Sequence, residues 1–126
     1  MPSEPVNQRE FTRVRVEVRA RVQAGTAGCS GLVRSVSLNG MAVQTEERLP
    51  LGTECDLTLV LAEGQAEILL SGRVVDHRPD GMAFQFTKVV GLESFEHLRN
   101  LVVYNTSEIE QVEREFSAHA GIRKRV

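Results

Sequence analysis

Residues 13–22, RVRVEVRARV, carry the alternating pattern that decides the fold class. Successive side chains of a β-strand point to opposite faces, so alternation of this kind predicts a half-buried strand with a charged side toward water. The apolar members are Val14, Val16, Val18, Ala20 and Val22, and the charged members are Arg13, Arg15, Glu17, Arg19 and Arg21. The regular part of the chain is therefore expected to begin with a strand.

Short β-type runs separated by turns follow this strand as far as residue 86. They lie at residues 32–35, 41–44, 55–61, 68–76 and 82–86, and every break between them contains glycine. Several short strands at this spacing are typical of an antiparallel barrel or sandwich. We predict a mainly β fold, a six-stranded antiparallel β-barrel.

The hydrophobic period changes from two to about 3.6 after Gly91, which predicts C-terminal helices. A second helix is expected to begin near Ser107, because Ser107 and Glu110 match a capping box, and to end at Gly121. The apolar residues at helical spacing are Leu92, Phe95, Leu98, Leu101 and Val102 in the first helix, and Ile109, Val112 and Phe116 in the second. The barrel should thus be followed by one or two helices.

The length of 126 residues fits one domain with short additions at its ends. We predict a disordered tail over residues 1–8 and a barrel domain with its first helix over residues 9–104. Residues 105–126 are expected to form a C-terminal helix with a basic tip, which is either a frayed end or a contact for an acidic partner.

Composition argues against several classes of protein. The net charge of −2 does not fit a non-specific binder of DNA or RNA, and 5 Phe, 1 Tyr and no Trp offer little aromatic surface for stacking bases. No apolar run reaches the ~20 residues that a membrane span needs, and the first residues lack the apolar core of a secretory signal. We expect a cytoplasmic protein, with Cys29 and Cys55 as free thiols.

No constellation of residues typical of catalysis or metal binding is found in the sequence. His77, His97 and His119 lack the spacing of metal ligands. Asp76 and His77 are neighbours on a predicted strand and should point to opposite faces. We therefore predict a protein that is not an enzyme and has no metal or cofactor.

Two short patches carry residues that suit a phosphate-containing ligand. Arg9 and Arg13 stand four residues apart before the first strand, and each guanidinium offers a planar pair of donors for phosphate oxygens. Ser35, Ser37 and Gly40 lie where a strand runs into a turn. The two serine hydroxyls can contact base edges or phosphates, and the glycine permits close backbone approach or a positive φ.

Each patch also has an ordinary structural interpretation. The two arginines fit a solvated tail and a strand-face charge, and serine hydroxyls and glycine are common in turns. The row of Arg15, Arg19 and Arg21 fits either a solvated exterior or an electropositive approach for an anion. Only the joint occurrence of the two patches favours ligand binding.

Taken together, the two patches resemble the PilZ domain family, the bacterial receptors for cyclic di-GMP. The family carries Arg-x-x-x-Arg at the start of its barrel and Asp/Asn-x-Ser-x-x-Gly on a neighbouring strand. Arg9 and Arg13 match the first motif, and Ser37 and Gly40 match the second. Residues 81–86, GMAFQF, are similar to the family's closing strand, and the resemblance covers residues 9–104.

The resemblance implies a receptor whose N-terminal segment becomes ordered around cyclic di-GMP and signals to a protein partner. A monomer or weak homodimer without DNA, RNA or a membrane span is expected. Ser35 replaces the family's Asp or Asn, and its hydroxyl is shorter and uncharged. The alternative is a degenerate PilZ domain that binds no nucleotide and acts as a protein-interaction adaptor. The implied contacts are Arg9, Arg13, Ser35, Ser37 and Gly40, with Arg34 as an additional candidate.

Overall fold

The computed structural model describes residues 11–125, which form a closed barrel of six strands followed by two helices. The predicted tail over residues 1–8 lies outside the described residues. The strands are β1 (Val14–Ala24), β2 (Ala27–Val36), β3 (Gly40–Gln44), β4 (Glu54–Leu61), β5 (Ala66–Arg78) and β6 (Gly81–Val89). The helices are α1 (Leu92–Val103) and α2 (Ile109–Arg125), and a short 3-10 turn at Ala62–Gly64 joins β4 to β5.

The strands follow the order β1-β2-β3-β6-β5-β4 around the barrel, and every neighbouring pair is antiparallel. Pairing of β1 with β4 closes the barrel and places Arg19 opposite Val60. The predicted six-stranded antiparallel barrel with C-terminal helices is confirmed.

The alternation in β1 separates the core from the solvent-facing surface. Val14, Ala20 and Val22 are buried, and the arginines between them are exposed. Val16 and Val18 are only half-buried, beside an irregularity in the β1–β2 register between Arg15 and Val18. The barrel interior is filled by apolar side chains of all six strands, among them Val33, Val43, Leu57, Leu59, Ile68, Met82 and Phe84.

The two helices pack against each other and extend the core. Phe95 of α1 and Phe116 of α2 are buried with ring centroids 5.6 Å apart in an edge-on arrangement. The Arg99 guanidinium donates to both carboxylate oxygens of Glu113 at 2.7 Å, and this pair links α1 to α2. The Leu69 amide donates to the Ser94 hydroxyl at 2.9 Å and ties α1 to β5. Helix α2 is therefore docked through both apolar and charged contacts.

The second helix begins close to the predicted position, but its capping residue and its C-terminal end differ from the prediction. Helix α2 begins at Ile109, two residues after Ser107, and the Glu108 amide donates to the Thr106 hydroxyl at 2.9 Å. Thr106, rather than Ser107, thus provides the side-chain hydrogen bond before the helix. The helix runs past Gly121 to Arg125, because an isolated glycine costs only about 1 kcal/mol inside a helix.

Two residues assigned to the apolar helix faces are exposed instead. Leu92 and Ile109 have 48% and 51% of their surface accessible. Each is the first residue of its helix and precedes the turn at which that helix contacts the core. The apolar period therefore identified the helices correctly and placed their contact with the core one turn too early.

Cys29 and Cys55 are free thiols. Burial raises the pKa of both thiols, and the neighbouring Glu47 carboxylate adds to the effect on Cys29. A raised pKa favours the protonated thiol, which is the less nucleophilic form. Within residues 11–125, no helix has the length and apolar character needed to cross a membrane.

Candidate functional site

A groove of about 710 Å³ lies on the outside of the barrel where β1 begins beside β2. The β1–β2 register places Arg15 opposite Ser35, and the β2–β3 register places Ser35 opposite Ala42. Arg13, Arg15, Ser35 and Ala42 all line the groove. The short side chains of Ser35 and Ala42 leave space on the barrel surface beside the arginines.

Arginines dominate the charge of this groove. The four guanidiniums of its lining residues face two carboxylates, so the groove is electropositive. The Arg34 guanidinium lies 3.8 Å from the Glu17 carboxylate, and both side chains are largely in solvent. Such a surface pair contributes less than about 1 kcal/mol, so Arg34 remains available to an anion. The charged lining residues are Arg13, Arg15, Arg34, Arg78, Glu17 and Asp80.

Two irregularities in strand register flank Arg34. One lies between Arg15 and Val18 in the β1–β2 pairing, and the other between Val33 and Ser35 in the β2–β3 pairing. An extra residue in one strand increases the local twist and changes the direction of the side chains. These irregularities fit the position of the exposed Arg34 side chain at the rim of the groove, between β1 and β3.

Ser35 and Ser37 have different roles in the structure. Ser35 is half-buried and lines the groove. Ser37 is 1% exposed, and its hydroxyl donates to the Asn39 side-chain oxygen at 2.8 Å. The Ser37 amide donates to the Gly40 carbonyl at 2.9 Å. Ser37 therefore closes the β2–β3 turn, and of the two serines only Ser35 lines the groove together with Arg13.

Gly40 allows two strands to approach closely. Gly40 is opposite Gln85 of β6, and a Cβ atom at position 40 would lie 2.6 Å from the Phe84 carbonyl oxygen. Its φ is not positive. The expectation of close backbone approach is therefore correct, and the alternative of a positive φ is wrong.

The two arginines of the first motif differ in what the structure shows of them. Arg9 lies outside the described residues. Arg13 is exposed, and its guanidinium has no hydrogen bond or ion pair with any residue of the described part of the chain. The guanidinium of Arg13 at the edge of the groove is thus available to bind a ligand.

Sequence reasoning missed a contact between the two ends of the described chain. The Thr12 amide donates to both carboxylate oxygens of Glu115, at 3.0 and 3.1 Å, and the Thr12 hydroxyl donates to one of them at 2.8 Å. A signal was present, because Glu115 stands three residues after Val112 and next to Phe116 on the apolar face of α2. A carboxylate on a buried helix face requires a hydrogen-bonding partner.

Of the three histidines, His77 and His97 have side chains that the structure describes. No group of three or more His, Cys, Asp or Glu within the described chain could hold a metal ion. The Nε2 atom of His77 lies 2.6 Å from the Leu49 carbonyl oxygen, so its ring contacts the main chain rather than the neighbouring Asp76.

The family model for the PilZ domain matches residues 7–104, and the chain belongs to this family. PilZ domains are receptor domains for cyclic di-GMP and are not known enzymes. No curated protein sequence matches the chain significantly.

Three solved structures share the fold at low sequence identity. The PilZ domain of YcgR from Escherichia coli with c-di-GMP is 16% identical, with a TM-score of 0.60 over 90% of this chain and 98% of that one. The PilZ domain of CeSA from a cellulose synthesizing bacterium is 21% identical, with a TM-score of 0.58 over 74% of this chain and 96% of that one. The inhibitor of motility MotI/DgrA from Bacillus subtilis is 17% identical, with a TM-score of 0.63 over 77% of this chain. The present chain spans 50% of the length of the MotI/DgrA chain.

Proposed function

We propose that this chain is a cyclic di-GMP receptor that closes residues 9–13 around the nucleotide and signals to a protein partner. The observation that carries the proposal is the electropositive groove that brings Arg13, Arg15 and Ser35 together on one barrel face. Cyclic di-GMP presents two anionic phosphodiesters and two guanine bases. The paired donors of a guanidinium suit the phosphodiesters. Hydroxyl groups suit the guanine edges, and guanidinium groups suit the guanine edges and faces.

Each candidate residue has a specific role in this proposal. Arg13 and Arg9 bind phosphate oxygens or stack on guanine, and Arg34 supplies a further cation from the groove rim. Ser35 accepts or donates a hydrogen bond at the guanine edge. Ser37 and Gly40 act indirectly, because the turn and the close strand approach that they permit fix the position of Ser35. Closure of residues 9–13 on the ligand would change the surface that a partner contacts.

Calorimetric titration with cyclic di-GMP tests the proposed function, with GTP and cyclic di-AMP as comparison ligands. We expect saturable heat with cyclic di-GMP, and much weaker or no heat with the other two nucleotides. GTP controls for a generic response to guanine and phosphate charge, and cyclic di-AMP controls for the ring shape. Absence of heat at high cyclic di-GMP concentration would contradict the proposal.

The second candidate function is a PilZ domain that binds no nucleotide and acts as a protein-interaction adaptor. Two observations favour it. Ser35 lacks the charge of Asp and the reach of either Asp or Asn, and the Ser37 hydroxyl is already hydrogen-bonded to Asn39. If calorimetry detects no nucleotide, affinity capture with the intact chain is the experiment that follows.

Replacement of Ser35 by aspartate is expected to tighten cyclic di-GMP binding about tenfold. A carboxylate accepts charge-assisted hydrogen bonds from a guanine edge, and one such bond contributes about 1.5–3 kcal/mol. The affinity is measured by the same titration. Ser30→Asp is the matched control, because Ser30 lies on the exposed surface of the same strand and outside the groove. An affinity that is unchanged or weaker in Ser35→Asp would count against a guanine contact at this position.

A further inference from the structure

We infer that Glu115 of helix α2 is a positioning residue of the nucleotide site, which holds Thr12 in place and thereby directs Arg13 toward the groove. The inference rests on the proposed function. It extends the site from the barrel to the C-terminal helix, beyond the residues 7–104 that match the PilZ domain family.

The first observation is the chemistry of the contact. Glu115 is buried, with only 8% of the residue exposed, and its carboxylate accepts hydrogen bonds from the Thr12 amide and hydroxyl. It also accepts one from the Gln111 side-chain amide at 3.0 Å. All of these partners are donors, and an ionised carboxylate is an acceptor only. The cluster is therefore specific for a carboxylate at position 115.

The second observation is the rigidity of the element that carries Glu115. Val112 and Phe116 on the same face of α2 are fully buried, and Phe116 contacts the Phe95 ring of α1. The Arg99–Glu113 ion pair fixes the same turn of α2 to α1. Because these contacts hold the helix in place, the Glu115 carboxylate offers Thr12 a fixed anchor.

The third observation is the position of Arg13 between two fixed neighbours. Thr12 is held by Glu115, and Val14 is buried opposite Val36 as the first residue of β1. The main chain at Arg13 is thus restrained on both sides, while the residue is exposed and lines the groove. A side chain that is already directed toward its ligand loses less conformational entropy on binding.

Linkage between the two sites follows from this geometry. If docked α2 favours the binding-competent position of Arg13, bound nucleotide must stabilise the docking of α2 by the same factor. The surface around α2 then becomes the part of the molecule through which a protein partner senses the nucleotide.

A double-mutant cycle with cyclic di-GMP affinity as the readout tests the inference. We expect Glu115→Ala to weaken binding about tenfold, because Arg13 would then lose more conformational freedom on binding the nucleotide. If Glu115 acts through Arg13, the double variant Arg13→Ala, Glu115→Ala should bind no more weakly than Arg13→Ala alone. Additive losses, or an unchanged affinity in Glu115→Ala, would overturn the inference.

Two further variants separate positioning from folding. Glu115→Gln keeps the shape and one acceptor oxygen, and we expect an affinity between those of wild type and Glu115→Ala. If Glu115→Ala does not fold, the affinity of Glu115→Gln tests whether Glu115 positions Arg13, and a wild-type affinity would contradict that role. Glu110→Gln is the matched control, because it removes a carboxylate from an exposed position of the same helix, and we expect wild-type affinity.

Hydrogen exchange of the free protein distinguishes a failure of the inference from a failure of the proposed function. We expect the Thr12 amide to exchange at least about tenfold faster in Glu115→Ala than in wild type, because its acceptor is lost. Unchanged exchange would refute the anchoring of Thr12 by Glu115 whether or not nucleotide binds. If wild type binds no cyclic di-GMP, the proposed function fails and the exchange rate alone decides whether Glu115 fixes residues 11–13.

Discussion

Replacement of Arg13 by alanine is expected to weaken cyclic di-GMP binding about a hundredfold, because a guanidinium can give two charge-assisted hydrogen bonds to one phosphate. The same change should leave the thermal stability close to that of wild type. Arg13 is exposed, and its guanidinium forms no hydrogen bond or ion pair with the side chains of residues 11–118. Its loss therefore removes a ligand contact without removing a fold contact. Calorimetry and a thermal melt measure the two quantities.

Arg19→Ala is the matched control for Arg13→Ala. Arg19 is also an exposed arginine of the β1 face, but it lines a different groove, near Arg48. Its removal changes the net charge equally, so a general electrostatic attraction would weaken in both variants. We expect Arg19→Ala to retain wild-type affinity within about threefold, because charges beyond about 10 Å are largely screened at physiological salt. Equal losses in the two variants, or a large fall in stability with binding intact in Arg13→Ala, would contradict the assignment.

Replacement of Gly81 by alanine is expected to lower the free energy of unfolding by about 3 kcal/mol or more. Gly81 is opposite Gln44 of β3, and a methyl group at position 81 would overlap the Val43 carbonyl oxygen. The overlap is with main chain, so relief requires β3 and β6 to move apart. Since β3–β6 is one of the two pairings that join strands β1–β3 to strands β4–β6, this movement weakens the closed barrel. Chemical denaturation measures the loss.

Gly28→Ala is the corresponding control in a neighbouring strand. The nearest atom to a methyl group at position 28 is the side-chain oxygen of Gln23, at 2.8 Å, and this exposed side chain can move away. We expect a stability within about 0.5 kcal/mol of wild type. If the Gly81→Ala protein were as stable as the Gly28→Ala protein, the close approach of β3 to β6 would not be required for stability.

The barrel could be predicted from the sequence because the patterns that indicate its strands and turns are local. Alternation in β1 and a glycine in every break specify where each strand lies and which face it buries. Strand order could not be read in the same way, because the pairing of β3 with β6 depends on contacts between residues far apart in sequence. The capping residue and the C-terminal end of α2 were mispredicted because a capping motif and a glycine are weak signals beside tertiary packing.

The candidate site could be predicted in part. The motif spacing identified Arg13 and Ser35, which the groove brings together, but it did not separate Ser35 from Ser37, whose hydroxyl is used within the turn. The contact of Thr12 with Glu115 joins positions 103 residues apart, and no local pattern encodes it. Glu115 among apolar neighbours showed only that some donor must be present.

The closure of the barrel by β1 and β4 has a consequence for synthesis on the ribosome. Strand β1 is made before both of its partners. Strand β2 follows at once and can pair with one edge, but the partner of the other edge is made only when Val60 and its neighbours follow. Until then β1 presents unpaired amides and carbonyls to other growing chains, which is a common route to aggregation. Charged side chains on an open edge discourage such pairing. We therefore expect the exposed arginines of β1 to hinder pairing with other growing chains during synthesis, before the barrel has closed.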